Sequence, residues 1–442
     1  MPVNIFLCEK ISQLIFFVTK LQKNAILILY LKKESVMWEK DININEVKEI
    51  ISRAKVFFGV GAMHKINDIL VDLKTKGVDK VIVISGANAY KATGAWGVVE
   101  AALREQSIGY VNYDKVTPNP TTDGIDEAKK IALDFGAKAV IAIGGGSPID
   151  TGKSVAILMD EKYRDKTADE LYEYKFEPTS AVPIVAINLT HGTGTEANRF
   201  AVATVVKKDF KPAIAYECIY PTYSIDDPKV CLKLSPKQTL YTSIDAVNHV
   251  IEAATSKVAS PYAVTLAKET IRLVAKYLPV AAKNPDDLEA RYFLMYAALL
   301  GGICFDNGLL HYTHALEHPL SAVKHDLSHG LGLAILLPSV IKTIYADKAA
   351  TLADILEPIA PNLKGEKSEA QAAAVAVEKW LFEIGVKEKL SDMGYSETDV
   401  EKLTNLAFTT PSLAGLLAIA PNEATKERVR NIYQESMKPL SI

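Results

Sequence analysis

The stretch AVIAIGGGSPID, residues 139–150, decides the fold. An apolar run of strand length, Ala139 to Ile143, meets Gly144, Gly145 and Gly146, and the residues that follow are helix starters. Ser147 reads as the N-cap, Pro148 as the first helical position and Asp150 as the acid at N3. A strand turning through glycine into a helix is the step from which parallel sheets are built. Such a turn aims backbone N–H groups and the positive end of a helix dipole at one point, where a phosphate fits and a Cβ would obstruct it. A tight turn without a ligand is the other reading of the same glycines, and the GxGxxG spacing is absent.

The pattern repeats on both sides. Candidate strands are Lys80 to Ile84, Tyr110 to Tyr113, Ala139 to Ile143 and Pro183 to Ile187, with amphipathic stretches at Gly97 to Gln106 and Thr122 to Phe135 as crossover helices. A second small, hydroxylated loop, THGTGTE at residues 190–196, follows the strand that ends near Asn188. Both loops leave carboxyl ends of parallel strands, where open α/β sheets bind ligands. His191 within the second loop reads as a solvated loop residue.

After Leu234 the pattern turns helical, opening with Ser235 as cap and Pro236 at the first position. The sequence therefore predicts a parallel α/β region over 37–234 and an all-α region over 235–442. Six of the eight histidines lie from His249 to His329, and five of those from His311 onward. Asp245 and His249 are i and i+4, about 40° apart on one helix face, in apolar surroundings. Each must be satisfied by the other or by a cation. His314 and His318 repeat the spacing, and His329 follows a break that folds it back toward His314. One carboxylate and three imidazoles, with no thiolate, suit Fe(II) or Zn(II). His311 and His325 read as core or solvated histidines.

Composition narrows the partners. The 442 residues are 49% hydrophobic and 23% charged, an ordinary globular balance. Fifty basic against fifty-three acidic residues give a formal charge of −3, which provides no field for nucleic acid or anionic lipid. Four cysteines without CxxC spacing form neither a disulfide framework nor a zinc ribbon and fit a reducing cytoplasm. Residues 1–36 carry two apolar runs too short to span a bilayer and no small-residue cleavage site. Met37 is the expected biological start, with the preceding segment an atypical extension.

Taken together, GGGSPID, GTGTE, Asp245 with His249, and His314 with His318-Pro-Leu ahead of His329-Gly resemble the iron-containing alcohol dehydrogenase family, from about Met37 onward. The resemblance implies a Rossmann-like dinucleotide-binding domain with a parallel sheet, then an all-helical domain, with metal and nicotinamide meeting between them. It implies metal ligands Asp245, His249, His314 and His329, and a proton-transfer role for His318. It implies cofactor contacts from Gly86, Asn88, Gly144, Gly145, Gly146, Ser147, Asp150, Thr190 and Thr193. The implied activity is hydride transfer between NAD(P)(H) and a small primary alcohol or aldehyde, with Fe(II) favoured over Zn(II) because four protein ligands plus a substrate oxygen exceed zinc's tetrahedral habit. Gly86 follows the strand where NAD-preferring relatives often carry Asp, so NADP(H) is the expected cofactor. Partners are then a small alcohol or aldehyde and, in a homo-oligomer, further copies of the chain. Leu189 and His191 depart from the family's TTxGT pattern. A glycerol dehydrogenase-like enzyme, which typically shows GGGK where Ser147 stands, and a lyase resembling dehydroquinate synthase, which needs a basic pocket, are the alternatives.

Overall fold

The computed structural model describes residue 41, residues 50–51 and residues 53–440; the expectation for residues 1–36 lies outside them. A six-stranded, wholly parallel sheet runs in the order β1-β8-β5-β4-β2-β3. Its strands are β1 Val56–Phe58, β2 Lys80–Ser85, β3 Gly109–Tyr113, β4 Ala139–Gly144, β5 Ile184–Asn188 and β8 Tyr223–Asp226, while β6 Phe200–Val202 and β7 Ala213–Ala215 form a separate antiparallel pair. The four strands expected from sequence are present within a residue or so; β1 and β8 are additions. Every residue of β4 and β5 is buried, as befits strands covered on both faces.

Alternation along β2 assigns the covering layers. Val81 and Val83 pack with α1 (Lys65–Thr75) and α2 (Ala95–Glu105), whereas Ile82 and Ile84 pack with α3 (Thr122–Phe135) and α4 (Gly146–Met159). From β2 the chain runs to β3 on one side, and β4 then lies on the other. The strand order reverses there, and the loops after Ser85 and Gly144 flank the crevice.

Beyond β8 all further elements among the described residues are helical. The first five α-helices are α5 (Pro236–Thr255), α6 (Pro261–Lys283), α7 (Leu288–Gly308), α8 (Tyr312–Val323) and α9 (His329–Ile344). Ser235 caps α5 by accepting from the Gln238 N–H, with Pro236 in the first turn, as the sequence predicts. The segments Leu288–Gly308 and His329–Asp347 are long and apolar enough to span a bilayer, but 67% and 78% of their apolar windows are buried inside the protein, where core helices lie. Cys218, Cys231 and Cys304 are free thiols.

Where the sheet meets the helices, Glu196 and Asp226 are both fully buried, and none of their carboxylate oxygens has a hydrogen-bond partner. Burial raises both carboxyl groups, and Asp226 is raised further by Glu196. A carboxyl raised in the folded state keeps a proton that the unfolded chain releases. Its contribution to stability is therefore present at acid pH and lost as pH rises from the usual carboxyl range through the raised value. Between about pH 5 and about pH 8 the thermal midpoint of the natural sequence should fall more steeply than that of Glu196→Gln. Parallel curves would show that Glu196 is ionised when folded.

Candidate active site

The glycine turn begins its helix earlier than the sequence suggests. Gly145, in extended conformation, is the N-cap of α4, and Gly146 rather than Pro148 is its first residue. Ser147 is thus inside the first turn and caps nothing. Pro148 still fits, because first-turn N–H groups have no partner within the helix. Gly145 has no side chain to accept from that turn, so its N–H groups are open to an external acceptor. The shift also redirects Asp150: its two oxygens accept from Thr195 Oγ1 (2.7 Å) and the Val202 N–H (3.0 Å). Asp150, expected among the cofactor contacts, spends both oxygens on bracing the second loop.

The two loops are in contact. A Cβ on Gly145 would stand 2.8 Å from Thr190 Cγ2, and one on Gly146 2.8 Å from Thr193 Cγ2. Thr190 donates its hydroxyl to Asn188 Oδ1 at 3.1 Å, so it frames the turn and has no free hydroxyl proton for a phosphate. Gly86 follows β2, and a Cβ there would lie 3.2 Å from the Val116 carbonyl oxygen. Asn88 is exposed at the start of a short helix and caps nothing with its side chain. A cavity of about 300 Å³ opens beside this turn, lined by Val116, Thr117, Pro120, Thr121 and Thr151 among others. That VTPNPT segment went unremarked in the sequence; its paired prolines around Asn119 and its cap Thr121 were the available signal.

On the helical side, α5, α8 and α9 bring their side chains to one oxygen. Asp245 Oδ1 lies 3.3 Å from His249 Nε2, 3.5 Å from His314 Nε2 and 3.9 Å from His329 Nε2. Asp245, His249 and His314 are buried, and neither Asp245 Oδ1 nor His314 Nε2 has a hydrogen-bond partner. Orphaned donor atoms of this kind, converging from one carboxylate and three imidazoles, are what a divalent cation requires. His249 is sandwiched between the rings of His314 (4.7 Å) and Phe305 (4.4 Å).

Two fully buried carboxylates, not anticipated from sequence, set the ring orientations. Glu252 hydrogen-bonds His314 Nδ1 and also accepts the N–H groups of His311, Thr313 and His314. Glu317 hydrogen-bonds His329 Nδ1. Held at Nδ1, each of these rings aims its Nε2 at Asp245 as the atom that would meet a cation. Burial acts to raise Glu252, but the His314 ring outweighs it and holds the carboxyl at about 2, while Glu252 lifts His314 to about 9 against its own burial. Burial likewise acts to raise Asp245, yet His249 and the neighbouring imidazoles hold it below the usual carboxylate range.

His318 differs in its backing. Its Nδ1 donates to the Lys211 carbonyl at 2.8 Å, and burial together with the Lys211 ammonium pushes it well below the usual imidazole range. It is a neutral base whose Nε2 is the available acceptor. His325 is exposed, and His311 is a core residue that accepts from Tyr312 N–H and hydrogen-bonds Thr255.

Residues 53–228 match the iron-containing alcohol dehydrogenase family, and residues 239–437 match the C-terminal part of the Fe-containing alcohol dehydrogenase family. The chain belongs to the iron-containing alcohol dehydrogenase family. It is an alcohol dehydrogenase and aldehyde reductase that works with iron and a nicotinamide cofactor on small-molecule alcohols or aldehydes. A long-chain primary alcohol dehydrogenase of Thermoanaerobacter ethanolicus is 58% identical over 400 residues, 90% of this chain and all of that one. An NAD-dependent methanol dehydrogenase of Bacillus methanolicus is 30% identical, covering 79% of this chain and 90% of its own. Among solved structures, the NADH-dependent butanol dehydrogenase A of Thermotoga maritima superposes with a TM-score of 0.81 at 28% identity, covering 89% of this chain and 99% of that one.

His191 overturns its expected exposure. It is fully buried, its Nε2 accepts from Arg291 Nη1 at 2.8 Å, and its Nδ1 pairs with Ser243 Oγ at 3.1 Å. Burial and the Arg291 charge lower it to about 3, so it stays neutral. Because Arg291 is itself fully buried, removing its acceptor leaves a charged donor poorly satisfied. His191→Ala should cost about 3 kcal/mol in denaturant unfolding. A loss below about 0.5 kcal/mol, the usual effect at a solvated loop position, would contradict this placement.

Proposed function

We propose that this enzyme transfers hydride between NADP(H) and a primary alcohol or its aldehyde at a divalent iron held by Asp245, His249, His314 and His329. The reading is carried by the convergence of three imidazole Nε2 atoms on one buried carboxylate oxygen that has no hydrogen-bond donor. In this reading residues 37–234 form the nucleotide side and residues 235–442 the metal side, in a cytoplasmic enzyme. When bound, the metal supplies Lewis-acid polarisation of the substrate oxygen and the nicotinamide accepts or returns the hydride.

The chain's own residues supply the rest. Gly144, Gly145, Gly146 and Ser147, with Thr193 beside them, cradle the diphosphate at the start of α4. His318 takes the alcohol proton at Nε2 or returns it to the product oxygen, its ring held by the Lys211 carbonyl. Phe200 and Phe305, 5.3 Å apart with Phe305 stacked on His249, make the metal's surroundings apolar. That wall and the relative named for long-chain primary alcohols support an alkyl substrate over a polyol. Four protein donors favour Fe(II), although Zn(II) accepts the same donor set.

Metal analysis of anaerobically purified variants, read beside an alcohol panel, tests the site. Alanine at Asp245, His249, His314 or His329 should abolish tightly bound metal and nearly all turnover, whereas His325→Ala should keep both. His318→Ala should keep metal, lose about 10²- to 10⁴-fold in rate and change the pH profile. Metal loss at His318 or His325, or retention at His329, would reassign the ligands.

Cofactor choice follows from Gly86, which places neither charge nor bulk beside the ribose, and from Asn88, an exposed donor close by. The natural sequence should show the higher kcat/KM with NADP(H). Gly86→Asp should reverse the preference by repelling the 2′-phosphate. Because the Val116 carbonyl crowds a Cβ at this position, Gly86→Ala serves as the steric control. A natural enzyme favouring NAD(H) would make Gly86 a turn residue only.

A further inference from the structure

Lys211 lies on the segment that joins the short strands β6 and β7, and only 4% of it is exposed. Its ammonium donates to Asn119 Oδ1 at 2.8 Å and Ser321 Oγ at 2.7 Å, and sits 3.6 Å from Glu317 Oε2. These acceptors come from two parts of the chain, Asn119 from the α/β region and Ser321 and Glu317 from helix α8. Asn119 belongs to the VTPNPT loop, whose Val116, Thr117, Pro120 and Thr121 line the cavity of about 300 Å³, and it adopts a left-handed φ of 54°. Glu317 and Ser321 are one turn apart on α8, Glu317 between His314 and His318 and Ser321 just beyond His318. Asn119 also donates through Nδ2 to the carbonyls of His325 (3.1 Å) and Leu327 (3.4 Å), in the turn that leads to His329. The Lys211 main chain takes part as well, since its carbonyl holds His318 Nδ1.

A buried ammonium costs several kcal/mol unless it is neutralised and fully hydrogen-bonded, so a single Lys satisfied by these groups fixes all of them relative to one another. The carboxylate it neutralises is the one that orients His329.

We propose that Lys211 is a positioning residue that couples the 115–121 loop to the metal site, holding Glu317 against His329 while Asn119 fixes the turn before it. The inference rests on the reading that His329 binds the metal, and it adds that the strength of that binding depends on a residue of the nucleotide side. Order in the 115–121 loop and the aim of His329 are then parts of one structure.

The test uses the full-length chain and Zn(II) alone as the probe, with affinity read by competition against a chelating dye. Lys211→Met should retain the fold by circular dichroism and weaken Zn(II) binding about 10- to 100-fold, the usual effect of losing an outer-shell partner. Asn119→Ala, which touches no metal ligand, should also weaken Zn(II) binding besides raising KM for the nicotinamide cofactor. The double variant should bind Zn(II) no more weakly than Lys211→Met, because both substitutions break one linkage. His329→Ala is run in parallel: if it binds Zn(II) normally, the site reading fails rather than the coupling. If His329→Ala loses the metal but Lys211→Met and Asn119→Ala keep natural affinity, the coupling is overturned. Should Lys211→Met not fold, Ser321→Ala takes its place, with a several-fold loss expected and unchanged affinity overturning the proposal.

Discussion

A buried carboxylate oxygen that no hydrogen-bond donor reaches, Oδ1 of Asp245 inside α5, is the constraint around which the helical half is arranged. An isolated buried anion is so costly that the surrounding chain must either protonate it or bring positive charge to it. The protein has not chosen protonation, because the neighbouring imidazoles hold Asp245 below the usual carboxylate range. Instead α5, α8 and α9 converge so that three Nε2 atoms face the same oxygen. Glu252 and Glu317 then serve two of these rings, each holding Nδ1 of an imidazole whose Nε2 faces Asp245.

That arrangement reaches the sheet through close backbone approaches. Gly192 would place a Cβ 2.4 Å from the Thr242 carbonyl oxygen, one turn before Asp245, and Gly194, at φ +59°, one 2.4 Å from Gly302 Cα on α7. The loop that frames the glycine turn through Thr190 and Thr193 is therefore also the loop seated on the metal-bearing helices. His191 bonds it to Ser243 and Arg291, and Lys153 of α4 donates to the carbonyls of Thr195, Asn198 and Phe200 at its far end. Any side chain at Gly192 or Gly194 would push the nucleotide loop away from the helices, which is why the loop needs glycine there.

The sequence made legible what depends on local pattern. Continuous apolar runs announced β2, β4 and β5, and the i, i+4 spacing announced that Asp245 with His249, and His314 with His318, share helix faces. What it concealed depends on distant partners. β1 has only three residues and β8 only four, so neither offers a periodic signal long enough to read. His191 looked solvated because its partner, Arg291, is a hundred residues away. Asp150 looked like an N3 acid because Ser147 and Pro148 imitate a cap, whereas the helix starts at Gly146 once Gly145 is extended. Glu252, Glu317 and Lys211 are chemically ordinary in sequence and acquire meaning only from the histidines that they face.

The histidines also show how environment, rather than residue type, divides labour within one site. His314 and His329 are backed by carboxylates, which make imidazole a stronger donor to a cation. His318 is backed by a carbonyl and lies near the Lys211 ammonium, which makes it a weaker base that stays neutral. An imidazole of high basicity would hold its proton too firmly to exchange it with an alkoxide or an aldehyde oxygen, and one bound to metal would have no lone pair for it. Under the proposed function, what Nδ1 touches separates His318 from His314 and His329: carboxylate behind those two metal-holding rings, main-chain oxygen behind the one that moves the proton. Lys211 stands at the division, supplying the carbonyl on one side and neutralising Glu317 on the other.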